Sequence, residues 1–406
     1  MKKACSIAGA LLLTASLVSP VFAAGSTSPG TPDQQNYSIS GFLSYDQLVK
    51  QLNRIEQNSN GQVSLEVVGQ SNRGRDIFKA TVGSGKKVVF ITSQIHGNEP
   101  TGTEALVSLL QYLGSSNSPE AKQIRKEITL VAMPMMNPDA AFLDRRGNDM
   151  TWEEIVDAFP QLAEATPAWN YYTTLRQGDD YAATPGFDVN RDYNPDLNYS
   201  PQASDFPGGS SQPGWFITPE AQTVRDVYQS LQDDFGQVDV YIDLHHQGPF
   251  YYVDGTDDVV TLSLSGRFVA DPNSSAGEKY EAYKDKYNYD FSRQLNLAAY
   301  HALQSMGSSP FDNISLYDQK IDLPGTALGA FALNGSGTVL FEVRGQTQSM
   351  GQKKKGSWSK RWKQDCPESS MPLPQAVSMS SIPRIMKTFP SRLMSRGSDP
   401  RTKAVI

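Results

Sequence analysis

Residues 94–100 read QIHGNEP and follow directly on KKVVFITS, residues 86–93. The β-branched and aromatic residues of the octapeptide predict a buried strand. The heptapeptide then sets His96 and Glu99 three positions apart just past its end. In an open α/β sheet, ligands and catalytic groups gather beyond the carboxyl ends of strands. The pair is therefore either half of a metal site or two polar residues of a surface loop, and the other half must come from elsewhere in the chain.

Outward from this point the sequence alternates in type. PTGTEALVSLLQYL (100–113) predicts a helix entered through Pro100, EITLVAMPM (127–135) a strand, and VDVYIDLHH (238–246) a further strand ending in two histidines. Upstream, SYDQLVKQLNRIEQNS (44–59) spaces Leu48, Leu52 and Ile55 for a helix, and QVSLEVVGQ and DIFKATVG flank the turn SNRGR as paired strands. Downstream come a helix, YDFSRQLNLAAYHALQSMG (289–307), and a strand, GTVLFEVRG (337–345). Such alternation predicts an α/β fold, a mixed, mostly parallel central sheet flanked by helices. Residues 144–235 are rich in Tyr, Asp, Asn, Pro and Gly and read as one long irregular insertion, of the kind that usually carries function. No internal repeat is present, and residues 37–350 read as a single domain.

The first 23 residues have a basic start at Lys2 and Lys3, a short apolar stretch and small residues before Ala24, which reads as a secretory signal. AGSTSPGTPDQQN (24–36) reads as a flexible linker. These features predict a protein that is secreted or periplasmic after signal removal, and no other run is long and apolar enough for a membrane span. Cys5 would leave with the signal, so Cys366 alone would remain and no intramolecular disulfide is expected. The net charge of −7 conceals a basic end: residues 351–406 hold twelve Lys and Arg against three Asp and Glu. The body between signal and tail is strongly acidic, which argues against a nucleic-acid partner.

Four histidines occur, at 96, 245, 246 and 301, and three of them follow strands. Two neutral imidazoles and one carboxylate suit Zn²⁺ and leave a fourth position open, as a catalytic site requires. Three further patches bear on this. FDVNRD holds Asp188, Asn190 and Arg191; NPDAAFLDRR ends in Arg145 and Arg146; LFEVRG carries Glu342. A carboxylate beside such a metal can take a proton from water and pass it to a leaving amine. Arginines can grip a carboxylate or stabilise an oxyanion. Each patch alone is an ordinary ion pair or loop; their order along the chain is the stronger signal.

That order resembles the zinc carboxypeptidase family over roughly residues 40–350, through VGQSNRGRDIFKATVG, HGNE, NPD, VNRD, DLHH and FEVRG. The resemblance implies one Zn²⁺ per chain held by His96, Glu99 and His245, with Glu342 as general base and acid. It implies that Asn190 and Arg191 receive the substrate's terminal carboxylate, and that Asp188 orients the first histidine. One of Arg145 and Arg146, with Arg145 preferred, would stabilise the oxyanion, and Tyr317 in ISLYDQK is the candidate for a tyrosine closing over the substrate. Asn98 stands where pancreatic-type members have arginine. The position after DL favours His245 over His246 as ligand, and His301 reads as a structural or exposed helix residue. The implied partners are peptide or protein C termini, cell-wall peptides included, and the absence of an acid between Asp322 and Glu342 favours neutral or apolar terminal residues. Two competing readings are a zinc deacylase of N-acyl amino acids and a peptide-binding module without catalysis; the latter leaves Glu342 unexplained.

Residues 351–406 change character, becoming Ser-, Pro- and Arg-rich without period. They read as a disordered basic tail or as the product of a frameshift near Ser357, since a shifted reading of residues 357–383 admits an amphipathic helix.

Overall fold

The computed structural model describes residues 42–248, 251–305, 311–318 and 320–344. The signal, linker and tail expectations, Cys366 and the frameshift reading lie outside these residues.

Helix α1 (Tyr45–Asn58) begins at Ser44, whose hydroxyl accepts from the Gln47 amide while the Gln47 side chain returns to the Ser44 N–H. Leu48, Leu52 and Ile55 form its buried stripe. Strands β1 (Val63–Gln70) and β2 (Asp76–Gly83) pair antiparallel. Then come β3 (Lys87–Ser93), α2 (Thr101–Ser115), α3 (Pro119–Glu127) and β4 (Ile128–Met133). Short helices α4 (Pro138–Leu143) and α5 (Trp152–Ala158) follow, and four two-residue strands, β5 (Tyr171–Tyr172), β6 (Leu175–Arg176), β7 (Asp179–Asp180) and β8 (Gly186–Phe187), form two small hairpin-like pairs. The chain continues through α6 (Pro219–Phe235), β9 (Val240–Gln247), β10 (Leu262–Ser265), α7 (Tyr289–Gln304), β11 (Ile314–Leu316), α8 (Ala327–Leu333) and β12 (Gly337–Arg344).

The eight-stranded sheet runs β1-β2-β4-β3-β9-β12-β10-β11. Its centre, β4-β3-β9-β12, is all parallel, and antiparallel pairs lie towards the two edges. Parallel central strands must be covered on both faces, and they are. One face packs Val240, Ile242 and Leu244 against α1, α2 and α7; the other packs Phe90, Tyr241 and Leu340 against α6 and α8. The mixed, mostly parallel α/β sheet expected from the strand alternation is the observed one.

The irregular reading of residues 144–235 needs correction at its end. Residues 219–235 are helix α6, capped by Thr218, started by Pro219 and closed by Gly236 at φ 82°. Its apolar stripe, Ala221, Val224, Tyr228 and Leu231, takes only one position in three or four, so the polar majority hid it. Strands β10 and β11, of four and three residues, were too short to signal in the sequence. The remainder of the insertion is held by its own aromatic cluster, with Trp152, Phe187, Phe206 and Trp215 in contact.

Candidate metal centre and cleft

The loop after β3 is fixed before any ligand is considered. Gln94 turns the chain at φ 57°, and its side-chain amide donates to the Gly97 carbonyl at 2.7 Å. Gly97 lies so close to the backbone of α4 that a Cβ there would stand 1.9 Å from the Ala140 carbonyl carbon, which excludes any other residue. Asn137 caps α4 and donates to the Ile95 carbonyl at 2.9 Å. The NPD stretch is thus a clamp for the HGNE loop.

So held, His96 and Glu99 meet His245, which faces them from the end of β9. His96 Nδ1 lies 2.9 Å from Glu99 Oε1, and His245 Nδ1 lies 2.9 Å from Glu99 Oε2. The three residues are buried and offer donor atoms within 4.8 Å of one another. Each imidazole turns its other nitrogen to a carboxylate: His96 Nε2 is 3.3 Å from Asp188 Oδ1, and His245 Nε2 is 2.9 Å from Asp243 Oδ2. Each outer nitrogen can keep its N–H on an aspartate, so that Nδ1, which without metal faces the accepting Glu99 carboxylate, can offer its lone pair to a metal instead, as a zinc site requires. The donor set therefore fits Zn²⁺. Burial alone would lower the pKa of His245, but Asp243 and Glu99 raise it well above the ordinary imidazole value. Burial likewise opposes charge on Glu99, and the two histidines hold its pKa well below the usual range. A metal entering here would displace a proton.

His246 points to the opposite face of β9, where its Nε2 accepts from the Thr101 amide at 3.1 Å and so helps to start α2. His301 is exposed on α7 beside Tyr300.

Glu342 reaches the cluster from the next strand. On β12 it is in register with His245, so the two side chains leave the sheet on the same face. Burial pushes its carboxyl up to about 7, with His245 and Arg146 opposing and Glu99 and Asp243 reinforcing the shift. The carboxylate has no hydrogen bond with any described residue and remains half-buried at the cleft.

The arginine in the cleft is Arg146, and the preference for Arg145 is corrected. The Arg145 guanidinium is buried and spends its donors on the carbonyls of Gly147, Thr184, Asn148 and Pro185, tying the loop to itself. Arg146 instead donates through Nε to Asp188 Oδ2 at 2.9 Å, with Nη1 4.0 Å from Glu99 Oε1. The two neighbours face opposite ways in a segment without regular structure, so spacing could not separate them.

Asp188 also accepts from the Asn190 amide, and although burial opposes its charge, Arg146 and Arg191 hold its pKa well below the usual range. Asn190 is buried, with its Oδ1 accepting from the Ala327 amide at 3.1 Å. Arg191 is half-buried and donates to the Asn190 carbonyl. Tyr317 stacks on Phe268, and its hydroxyl is raised to about 12 by burial first and then Glu342, with Arg191 and Arg146 acting oppositely. Glu342, Arg146, Arg191 and Tyr317 therefore share one electrostatic neighbourhood. The sequence reading overlooked Asp243 and its partner Thr92. The signal was available, because a residue two before a strand histidine shares its face.

A family model described as zinc carboxypeptidase matches residues 48–356. Carboxypeptidase M of Mus musculus is 32% identical over 97 residues, 22% of this chain and 22% of that protein. Cytosolic carboxypeptidase 6 of Mus musculus is 31% identical over 86 residues, 19% of this chain and 16% of that one. The matched segments thus span roughly a fifth of these relatives' length. Among solved structures, thrombin activatable fibrinolysis inhibitor superposes with a TM-score of 0.51 at 12% identity, covering 87% of this chain and 77% of that one, which shows a shared fold. A metallo-carboxypeptidase from Burkholderia cenocepacia gives a TM-score of 0.46 at 16% identity, covering 85% of this chain and 68% of that one. With the family model spanning the sheet, both histidine-bearing strand ends and Glu342, the chain belongs to the zinc carboxypeptidase family.

Proposed function

We propose that the protein is an exported zinc carboxypeptidase that removes C-terminal residues from peptides, with zinc held by His96, Glu99 and His245. The observation that carries this reading is the shared orientation of the two imidazoles, each Nδ1 towards Glu99 and each Nε2 towards an aspartate. Zinc bound there would supply Lewis acidity and an activated water. The protein's own groups do the rest. Glu342, beside His245 and without a side-chain hydrogen bond to any described residue, takes a proton and delivers it to the departing amine. Arg191 and Asn190 receive the terminal carboxylate, and Arg146 stabilises negative charge developing on the scissile carbonyl. Tyr317, stacked on Phe268 and within electrostatic reach of Glu342, shields the substrate. Neutral or apolar terminal residues are the preferred substrates, with cell-wall peptides a natural source for an exported enzyme. Among the described residues no helix is long and apolar enough to cross a membrane.

The test is mass spectrometry of a peptide mixture, half with free and half with amidated C termini, incubated with and without a zinc chelator. Stepwise loss from free ends alone, stopped by chelator, supports the proposal. Return of all peptides unchanged from a zinc-loaded chain would reject it in favour of a binding module.

A further inference from the structure

We infer that Asp243 is the positioning residue that sets how tightly the metal is held, and that it acts on His245 more strongly than Asp188 acts on His96. The inference rests on the zinc reading above and concerns what lies behind the ligands.

On β9, Tyr241, Asp243 and His245 alternate on to one face, and Asp243 is in register with Thr92 of β3. Asp243 Oδ2 lies 2.9 Å from His245 Nε2, while its Oδ1 accepts from the Thr92 hydroxyl at 2.8 Å. The single hydroxyl hydrogen of Thr92 is spent on that bond, so the contact of 2.6 Å between Thr92 and Tyr241 is a donation from the tyrosine. Tyr241, Thr92 and Asp243 have no exposed surface and His245 has 4%. The result is a directed chain, Tyr241 to Thr92 to Asp243, with His245 donating into the same carboxylate.

Asp188 is placed differently. Its bond to His96 is longer, at 3.3 Å, and its other oxygen is engaged by the Arg146 guanidinium at 2.9 Å. A carboxylate that shares its charge with a guanidinium polarises an imidazole less than one whose other partner is a neutral hydroxyl. Asp243 therefore fixes the Nε2–H tautomer of His245 and raises the basicity of its inward nitrogen. Asp188 instead divides itself among His96, the Arg146 guanidinium and the Asn190 amide.

The alternative is that Asp243 merely satisfies a buried threonine. Zinc affinity separates the two. The full chain is stripped of metal, and zinc is titrated against a chromogenic competing chelator, with thermal melting of the metal-free chain in parallel. Asp243→Asn, which keeps the volume and an acceptor but not the charge, should weaken zinc binding 10- to 100-fold. Asp188→Asn should weaken it less, and so should Thr92→Val, which removes a hydrogen bond but no charge. Wild-type affinity in a folded Asp243→Asn chain, or a larger loss in Asp188→Asn, would overturn the inference. A wild-type chain that takes up no zinc would instead reject the metal centre itself. Should Asp243→Asn not fold, proton NMR of the zinc-loaded wild type decides. The His245 Nε2–H should resonate further downfield than that of His96, and equal shifts would overturn the ordering.

Discussion

The two sides of the cleft are held by different means. His245 and Glu342 stand on adjacent parallel strands whose backbone ladder fixes them in register, and His96 and Glu99 ride on a loop clamped at the end of β3. Arg146, Asp188, Asn190 and Arg191 belong to the insertion, where side chains replace the ladder. Arg145 donates to four carbonyls, and Asp192 accepts from the amides of Trp215, Ile217 and Thr218 and from the Thr218 hydroxyl. Loops that cross a buried region must satisfy their backbone groups this way. A fault on the strand side should therefore abolish metal binding or chemistry, whereas a fault on the insertion side, Asp188 with its contact to His96 apart, should impair substrate binding and stability while zinc stays.

The largest effect is expected at Glu342. Glu342→Gln should lower kcat by about 10³-fold or more with zinc content intact; a near-normal rate in peptide hydrolysis would remove Glu342 from the proposed mechanism. On the insertion side, Arg191→Ala should cost about 10²-fold in kcat/KM for peptides with a free C terminus, the loss of a charge-assisted pair of hydrogen bonds. Activity on amidated peptides should fall far less, and equal losses would dissociate Arg191 from carboxylate recognition.

Arg145→Met strips the carbonyls of Gly147, Thr184 and Asn148 of their donor, leaves that of Pro185 to the Met150 amide, and does not touch the ligands. Calorimetry should show a loss of about 2 kcal/mol in stability, and chelator competition should show unchanged zinc affinity. A large drop in zinc affinity would mean that the two sides are not independent.

A last effect concerns pH. Glu220 is buried at the start of α6 with one oxygen unpartnered, and burial pushes its carboxyl from the ordinary 4.5 up to about 7. A carboxyl raised in the folded state contributes stability below its unfolded pKa and loses it as pH climbs through the folded one. Between pH 5 and 8 the wild type should therefore lose about 2–3 kcal/mol that Glu220→Gln keeps. Melting curves that shift in parallel for both chains would contradict this.

The same contrast explains what could be read in the sequence. Strand-borne residues were legible because alternation fixes which side chains share a face: His245 and His246 separate by parity, and Glu342 falls at a strand's end. Asp243 obeyed that rule too, and was missed by attention to the histidines alone. Arg145 and Arg146 have no such rule, because their loop owes its course to hydrogen bonds made with residues 147–148 and 184–185, which no local pattern announces. Helix α6 was hidden for a third reason, an apolar stripe narrow enough to be outnumbered by Gln and Asp.

The most direct test of the metal centre is metal analysis of the purified wild type beside His245→Ala and His246→Ala. If His245 is a ligand, the wild type should hold one zinc per chain, His245→Ala should lose nearly all of it, and His246→Ala, whose side chain serves α2 on the other face, should retain it. Zinc retained at full stoichiometry by His245→Ala would contradict it.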